Sequence, residues 1–308
     1  MAYGAKAKLG KRKRAGLLRP EELVKIKDLF LVARGVVEGF VAGHHSSPYK
    51  GFSLEFAEHR KYVPGDELKH LDWKVYGRTQ KYFVKLYEAE TNMRVTLALD
   101  VSESMNFSGG SGPSKMLYCS YLAAALSFLI SRQQDMVGLV TFNDRVRDYI
   151  PPRNDSAHLR NLIRRISAIE CSGETRTAAS LRQLAEKIRR RGLVVILSDL
   201  LDDPGALLRE IRRFRHGKHE VIVFHVLDNA ELMFPFKTTT TFLDMERRDR
   251  ITVDPVALRR EYLAGIEAFR KRMKTGLLKI NVDYVPVNTL MPFEYVLSNY
   301  LNARRKTS

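Results

Sequence analysis

Apolar residues along this chain alternate between two patterns. Short unbroken runs, such as Val95-Thr96-Leu97-Ala98-Leu99 and Leu193-Val194-Val195-Ile196-Leu197, read as strands buried on both faces. Strands are predicted near 94–100, 136–142, 193–199, 220–227 and 280–286. Helical segments separate them, near 115–132, 155–168, 177–191, 204–215, 255–274 and 292–303. Strand and helix in turn from Met93 onward predict an α/β fold, a doubly wound and mostly parallel sheet. Between 236 and 253, Thr238-Thr239-Thr240-Thr241-Phe242-Leu243 faces Arg250-Ile251-Thr252-Val253. That pairing predicts a hairpin or an added edge strand, turning near Glu246 to Asp249.

The front of the chain is organised differently. Residues 1–19 carry Lys6, Lys8, Lys11, Arg12, Lys13, Arg14 and Arg19 before the first acid, Glu21, and are expected to be a disordered basic tail. Pro20-Glu21-Glu22 starts a helix, with Leu23, Ile26, Leu29, Phe30 and Ala33 on one face. It is expected to end near Ala33, because Gly35 and Gly39 break the pattern. Residues 49–90 read as a small β-rich module with strands at 52–57 and 81–90 and a short piece near 70–76. The division expected is therefore 1–19, 20–90 and 91–308, the last closing on a C-terminal helix.

Charge changes the picture more than size does. Among 308 residues, 52 are basic and 35 acidic, giving a net charge of +17 that favours anionic partners. Two basic clusters, Lys187 with Arg189-Arg190-Arg191 and Arg209 to Lys218, fit helix C-termini without any partner. No apolar run reaches membrane-spanning length and the basic start lacks a signal-peptide core, so a cytoplasmic chain with reduced Cys119 and Cys171 is expected.

The candidate chemistry begins where the first long strand ends. Asp100-Val101-Ser102-Glu103-Ser104 puts one carboxylate and two hydroxyls on a loop at the carboxyl end of a strand, the edge where open α/β sheets bind ligands. Oxygen-only donors suit a hard cation such as Mg²⁺. The plainer reading makes Ser104 a helix cap. The D-x-S-x-S spacing resembles the metal-ion-dependent adhesion site of von Willebrand factor A domains. That resemblance implies a threonine in a Gly-x-Thr turn, matched by Thr175 with Leu181 six residues on, and a last aspartate, matched by Asp199. The set is then Asp100, Ser102, Ser104, Thr175 and Asp199 with Mg²⁺ or Mn²⁺. Many such sites have glycine after the final aspartate; this chain has Leu200.

The β-rich module carries a second motif. Pro64-Gly65 is a turn, Trp73 is expected as a core anchor, and Arg60, Lys69 and Arg78 can pair with Glu55, Glu58, Asp66 and Asp72. Arg60, Asp66, Lys69, Asp72 and Arg78 are also candidate partner contacts. The string G-x-x-x-E-F-x-x-x-R-x-Y-x-P-G-D-x-x-K-x-L-D-W from Gly51, followed by a von Willebrand factor A-like region, resembles the bacterial family called domain of unknown function 58. The resemblance spans about residues 40–230 and implies a chaperone-like adaptor working with a MoxR-type AAA+ ATPase.

Three functions are weighed on these residues. A non-enzymatic binding module would leave an open position on the metal for a partner's carboxylate. A metal-dependent hydrolase is disfavoured: Ser102 stands where dehalogenase-type phosphatases need a second aspartate, and Gly109 to Lys115 lacks phosphate-loop spacing. Nucleic-acid binding has charge in its favour and no motif.

Overall fold

The computed structural model describes residues 20, 28–44, 58–63, 71–86, 93–110, 112–246 and 249–305. Their contacts divide into two units, one joining the segment up to His44 with Met93–Ser308 and one spanning His45–Asn92. The basic tail, the strand expected at 52–57, and Asp66 and Lys69 lie outside the described residues.

Helix α1, Leu29–His44, starts where the Asp28 carboxylate accepts the Phe30 and Leu31 amides. It buries Leu29, Val32, Ala33, Val36, Val37 and Phe40, a stripe at 3.6-residue spacing. Phe30 meets Phe128 edge to face at 5.9 Å. The helix therefore runs through Gly35 and Gly39 rather than ending near Ala33, because the packed stripe outweighs a penalty of about 1 kcal/mol per glycine. It also belongs with the larger unit, not with the β-rich module as the sequence division had it.

In the small unit, β1 (Glu58–Lys61) pairs antiparallel with β2 (Phe83–Leu86). Between them Asp72 caps helix α2 (Trp73–Thr79), accepting the Lys74 and Val75 amides at 2.9 and 3.2 Å. The short strand expected near 70–76 is thus mostly helix, keeping only a bridge from Leu71 to Val84. Trp73 is not a core anchor: it is 63% exposed, on the first turn, edge-on to Tyr76. Asp72 is buried in its capping role, Arg78 is exposed in the last turn of α2, and Arg60 lies on β1.

The larger unit is built on β3 (Arg94–Asp100), β4 (Met136–Phe142), β5 (Val146–Arg153), β6 (Leu193–Ser198), β7 (Glu220–Leu227) and β10 (Asp283–Asn288). Their order is β10-β7-β6-β3-β4-β5. Five strands are parallel, and β5 returns antiparallel against β4. Strand β8 (Thr240–Leu243) and β9 (Arg250–Val253) form a separate hairpin, not an edge of this sheet. The connecting helices are α3 (Lys115–Arg132), α4 (Ser156–Ser167), α5 (Thr177–Lys187), α6 (Pro204–His216), α7 (Asn229–Met233), α8 (Pro255–Lys279) and α9 (Phe293–Arg305).

Alternation along the strands feeds two cores. Val95, Leu97 and Leu99 face α1, α3, α4 and α9, while Ala98, Val194 and Ile196 face α5, α6 and α8. The sequence reading left β5 unassigned because Arg147, Asp148, Pro151 and Pro152 interrupt its apolar pattern; an edge strand tolerates those residues. Helix α8 continues past the expected 274 to Lys279, which moves β10 three residues along from the expected start. Among the described residues no helix is long and apolar enough to cross a membrane. For the site, the decisive feature is that β3 and β6 are hydrogen-bonded parallel neighbours, so both carboxyl ends emerge side by side.

Candidate metal centre

Asp100 is the last residue of β3 and fully buried. One carboxylate oxygen accepts the Ser102 amide at 3.0 Å and the Ser102 hydroxyl at 2.7 Å; the other accepts the Ser198 hydroxyl at 2.6 Å. The chain then makes one 3₁₀ turn, Glu103–Asn106, which brings Ser104 beside Ser102 with their Oγ atoms 3.0 Å apart. The plainer reading of Ser104 as a helix cap does not hold, since Ser102 holds that position and its hydroxyl is turned to Asp100 instead.

Thr175 arrives from a loop stitched to this turn by backbone bonds, Ser172 N–H to the Val101 carbonyl and Glu103 N–H to the Gly173 carbonyl. Gly173 makes the approach possible: its φ is +82°, and a Cβ there would sit 2.8 Å from the Asn143 amide nitrogen. Thr175 Oγ1 lies 3.3 Å from Ser104 Oγ. Ser104 donates at 2.9 Å to Asp199, which follows β6. All five residues named from the sequence thus meet at one edge of the sheet.

Hydroxyls link the carboxylates of the cluster. Ser102 donates to Asp100, Ser104 to Asp199, and Thr175 Oγ1 to Glu246. The Ser102–Ser104 and Ser104–Thr175 contacts can take a proton from either side, so the three hydroxyl oxygens form one chain among those carboxylates. The spacings of 3.0 and 3.3 Å are close to the roughly 2.9 Å between neighbouring ligand oxygens in octahedral Mg²⁺. The residues therefore fit a small hard cation. Among the described residues no group of three or more His, Cys, Asp or Glu side chains is arranged to hold a metal.

The surrounding charges were not anticipated from the sequence. Lys115, at the first position of α3, is buried with its Nζ 2.7 Å from Asp199 Oδ2 and 2.7 Å from Glu231 Oε1. Burial opposes the ammonium, but Asp199 and Glu231 more than offset this and hold its pKa above the usual lysine value. Among the described residues Asp100 has no such cation in hydrogen-bond contact: burial first, then the charge of Asp199, push it up to about 7 against the opposing bonds from Ser198 and Ser102. Glu231 is raised by burial in spite of Lys115. Behind Asp199, His225 Nε2 contacts its backbone carbonyl at 2.9 Å and Nδ1 meets the Tyr284 hydroxyl at 2.7 Å; burial lowers this imidazole to about 4, so a neutral ring holds the loop.

Leu200 takes the left-handed φ of +55° that glycine would occupy, at a cost of about 1–2 kcal/mol. Its buried side chain packs in the α5–α6–α8 core and offsets that strain, so the departure from glycine leaves Asp199 in place. The candidate partner contacts Arg60, Asp72 and Arg78 belong to the small unit, and of these the described side chains show Asp72 capping and Arg78 exposed.

The chain is similar in fold to BatB from Bacteroides thetaiotaomicron, at 15% identity and a TM-score of 0.47 over 68% of this chain and 98% of that one. It is also similar to the SpRpn10 VWA domain, at 14% identity and a TM-score of 0.38 over 67% of this chain and 94% of that one. An uncharacterised protein of Mycobacterium tuberculosis is 28% identical over 256 residues, covering 82% of this chain and 80% of its own length. The model of the family described as protein of unknown function DUF58 matches residues 58–272, and the chain belongs to that family.

Proposed function

We propose that this chain is a non-enzymatic, metal-dependent protein-binding adaptor. Mg²⁺ or Mn²⁺ would be held by Ser102, Ser104 and Thr175, with Asp100 and Asp199 supplying charge. The observation that carries this reading is the convergence of three hydroxyl oxygens, Ser102 to Ser104 at 3.0 Å and Ser104 to Thr175 at 3.3 Å, close to the spacing of ligands around a small cation. Neutral hydroxyl donors leave much of a divalent charge uncompensated, which favours a carboxylate from a partner.

The surroundings support binding over turnover. Asp100, fully buried, accepts three hydrogen bonds, and Asp199 Oδ2 accepts from both Ser104 and Lys115, so both carboxylates are engaged in holding the cluster together. Exposed Leu201, Met233, Leu243 and Ile251 stand on the loop after β6, on α7 and on the β8–β9 hairpin, the segments that supply Asp199, Glu231 and Glu246. Such apolar side chains suit a protein contact. The partner to test first is a MoxR-type AAA+ ATPase offering an acidic side chain, and the net charge of +17 would speed its approach.

The first test is thermal. Metal at ten times its dissociation constant adds about 1.4 kcal/mol, a rise of about 2–4 °C in Tm for a unit of this size. Mg²⁺ or Mn²⁺ should produce that rise in the wild type and none in the Ser102→Ala, Ser104→Ala double variant. A Tm indifferent to both metals would remove the metal from the proposal.

A further inference from the structure

Glu246 reaches the cluster from the β8–β9 hairpin, which is inserted in the crossover between β7 and β10. It sits at the tip of the β8–β9 hairpin, 71 residues beyond Thr175. One of its oxygens, Oε1, accepts both the Thr175 backbone amide, at 3.0 Å, and the Thr175 hydroxyl. The same hydroxyl oxygen is 3.3 Å from Ser104. An acidic side chain of this chain is therefore already seated against one of the three hydroxyls.

The hairpin is built to hold that tip. The Asp244 amide donates to the Asp249 carbonyl and the Glu246 amide to the Asp244 carboxylate, both at 2.8 Å. Beside the turn, Phe242, paired with Ile251, stacks on Phe234 at 5.8 Å and meets Phe236 edge-on at 5.1 Å, while Tyr262 of α8 covers Phe234 at 4.5 Å. Leu243 and Ile251, which the pairing register places on opposite faces of the hairpin, are both exposed to solvent. The aromatic anchor lies four residues before Glu246, so this short acidic strap can release Thr175 while β8 and β9 stay paired.

We infer that Glu246 is the chain's own carboxylate for this site, occupying the place of the partner's acidic side chain, so that the hairpin tip must leave before the partner docks. The inference rests on the metal-dependent reading above. It also narrows the partner: its acid must come from a protruding loop able to reach Thr175 and compete with a tethered glutamate. Tethering gives Glu246 an effective concentration on the order of millimolar, so a partner's apparent affinity is reduced by the fraction of time the tip is bound.

The test uses the full chain in three forms: wild type, Glu246→Ala, and Ser102→Ala with Ser104→Ala. Mn²⁺ is the probe. Water-proton relaxation reports both affinity and the number of exchangeable waters on the bound ion, and hydrogen exchange across 240–253 with and without Mg²⁺ reports the hairpin. Wild type should bind Mn²⁺, and Mg²⁺ should slow exchange in the hairpin. Glu246→Ala should bind Mn²⁺ about tenfold more weakly, with higher relaxation per bound ion because water takes the glutamate's place, and its hairpin should ignore Mg²⁺. Unchanged affinity, relaxation and exchange in Glu246→Ala, beside binding that still requires the two serines, would overturn the strap alone. Absence of Mn²⁺ binding in the wild type, or binding that survives loss of both serines, would overturn the metal-dependent reading and the strap with it.

Discussion

Lys115 decides the electrostatics at the scale of single residues. Its ammonium stands between Asp199 and Glu231, all three withdrawn from bulk water. Replacing one partner of such a group leaves buried charge uncompensated, so Lys115→Met should cost about 3–5 kcal/mol in chemical denaturation. Adding Mg²⁺ should restore part of that loss, because a divalent cation at the hydroxyl cluster lowers the energy of the stranded Asp199. A cost under about 1 kcal/mol would mean that the carboxylates take up protons instead of depending on Lys115. Asp100, Ser102 and Ser104 were legible in the sequence because their spacing is local: a strand end and one turn fix where three side chains go. Thr175 and Asp199 were legible through a resemblance that supplied the long-range pairing. Lys115 read only as the start of a helix and Glu246 as the start of a hairpin turn, and Glu231 carried no signal, because each reaches the site by tertiary contacts of 71 residues or more. The one available signal for Lys115 was a cation at the first turn of a helix, where the dipole favours acids instead.

Among the elements, α1 shows tertiary packing overriding a local rule. Two glycines in sixteen residues lower intrinsic helicity, yet six core side chains on one stripe hold the helix through both. A Cβ added at Gly35 or Gly39 meets nothing within 4 Å. Gly35→Ala with Gly39→Ala should therefore raise stability by about 1–2 kcal/mol in urea melts, chiefly by restricting the unfolded chain. Destabilisation would show that the close approach of another surface, not helix propensity, keeps those glycines. The parallel strands were readable because burial on both faces produces unbroken apolar runs. β5 and α2 were not. One is an edge strand with two prolines, and the other is a seven-residue helix set by a single aspartate cap, too short to display a period.

The whole molecule separates its two ends chemically. The parallel strands place all five candidate ligands at their carboxyl edge, while His219 sits just before β7 at the amino edge, about 25 Å away by the rise of an eight-residue strand. His219 is buried against Phe214, with Nε2 3.1 Å from the Ile188 carbonyl. Burial lowers its pKa below the ordinary 6.5, against the opposing pull of backbone hydrogen bonds. The unfolded chain then binds more protons than the folded one in the window just below 6.5. The stability due to the neutral ring is therefore complete above that pH and is lost as pH falls through the folded value. Urea unfolding at pH 7.5, 6.5 and 5.5 should show this decline in metal-free protein. His219→Gln, which retains a donor for Ile188 and cannot titrate in this range, should flatten the histidine's share of the slope while leaving the Mn²⁺ affinity of the opposite edge unchanged. An identical pH slope in wild type and variant would assign the decline to other groups and show that His219 is not the one that titrates.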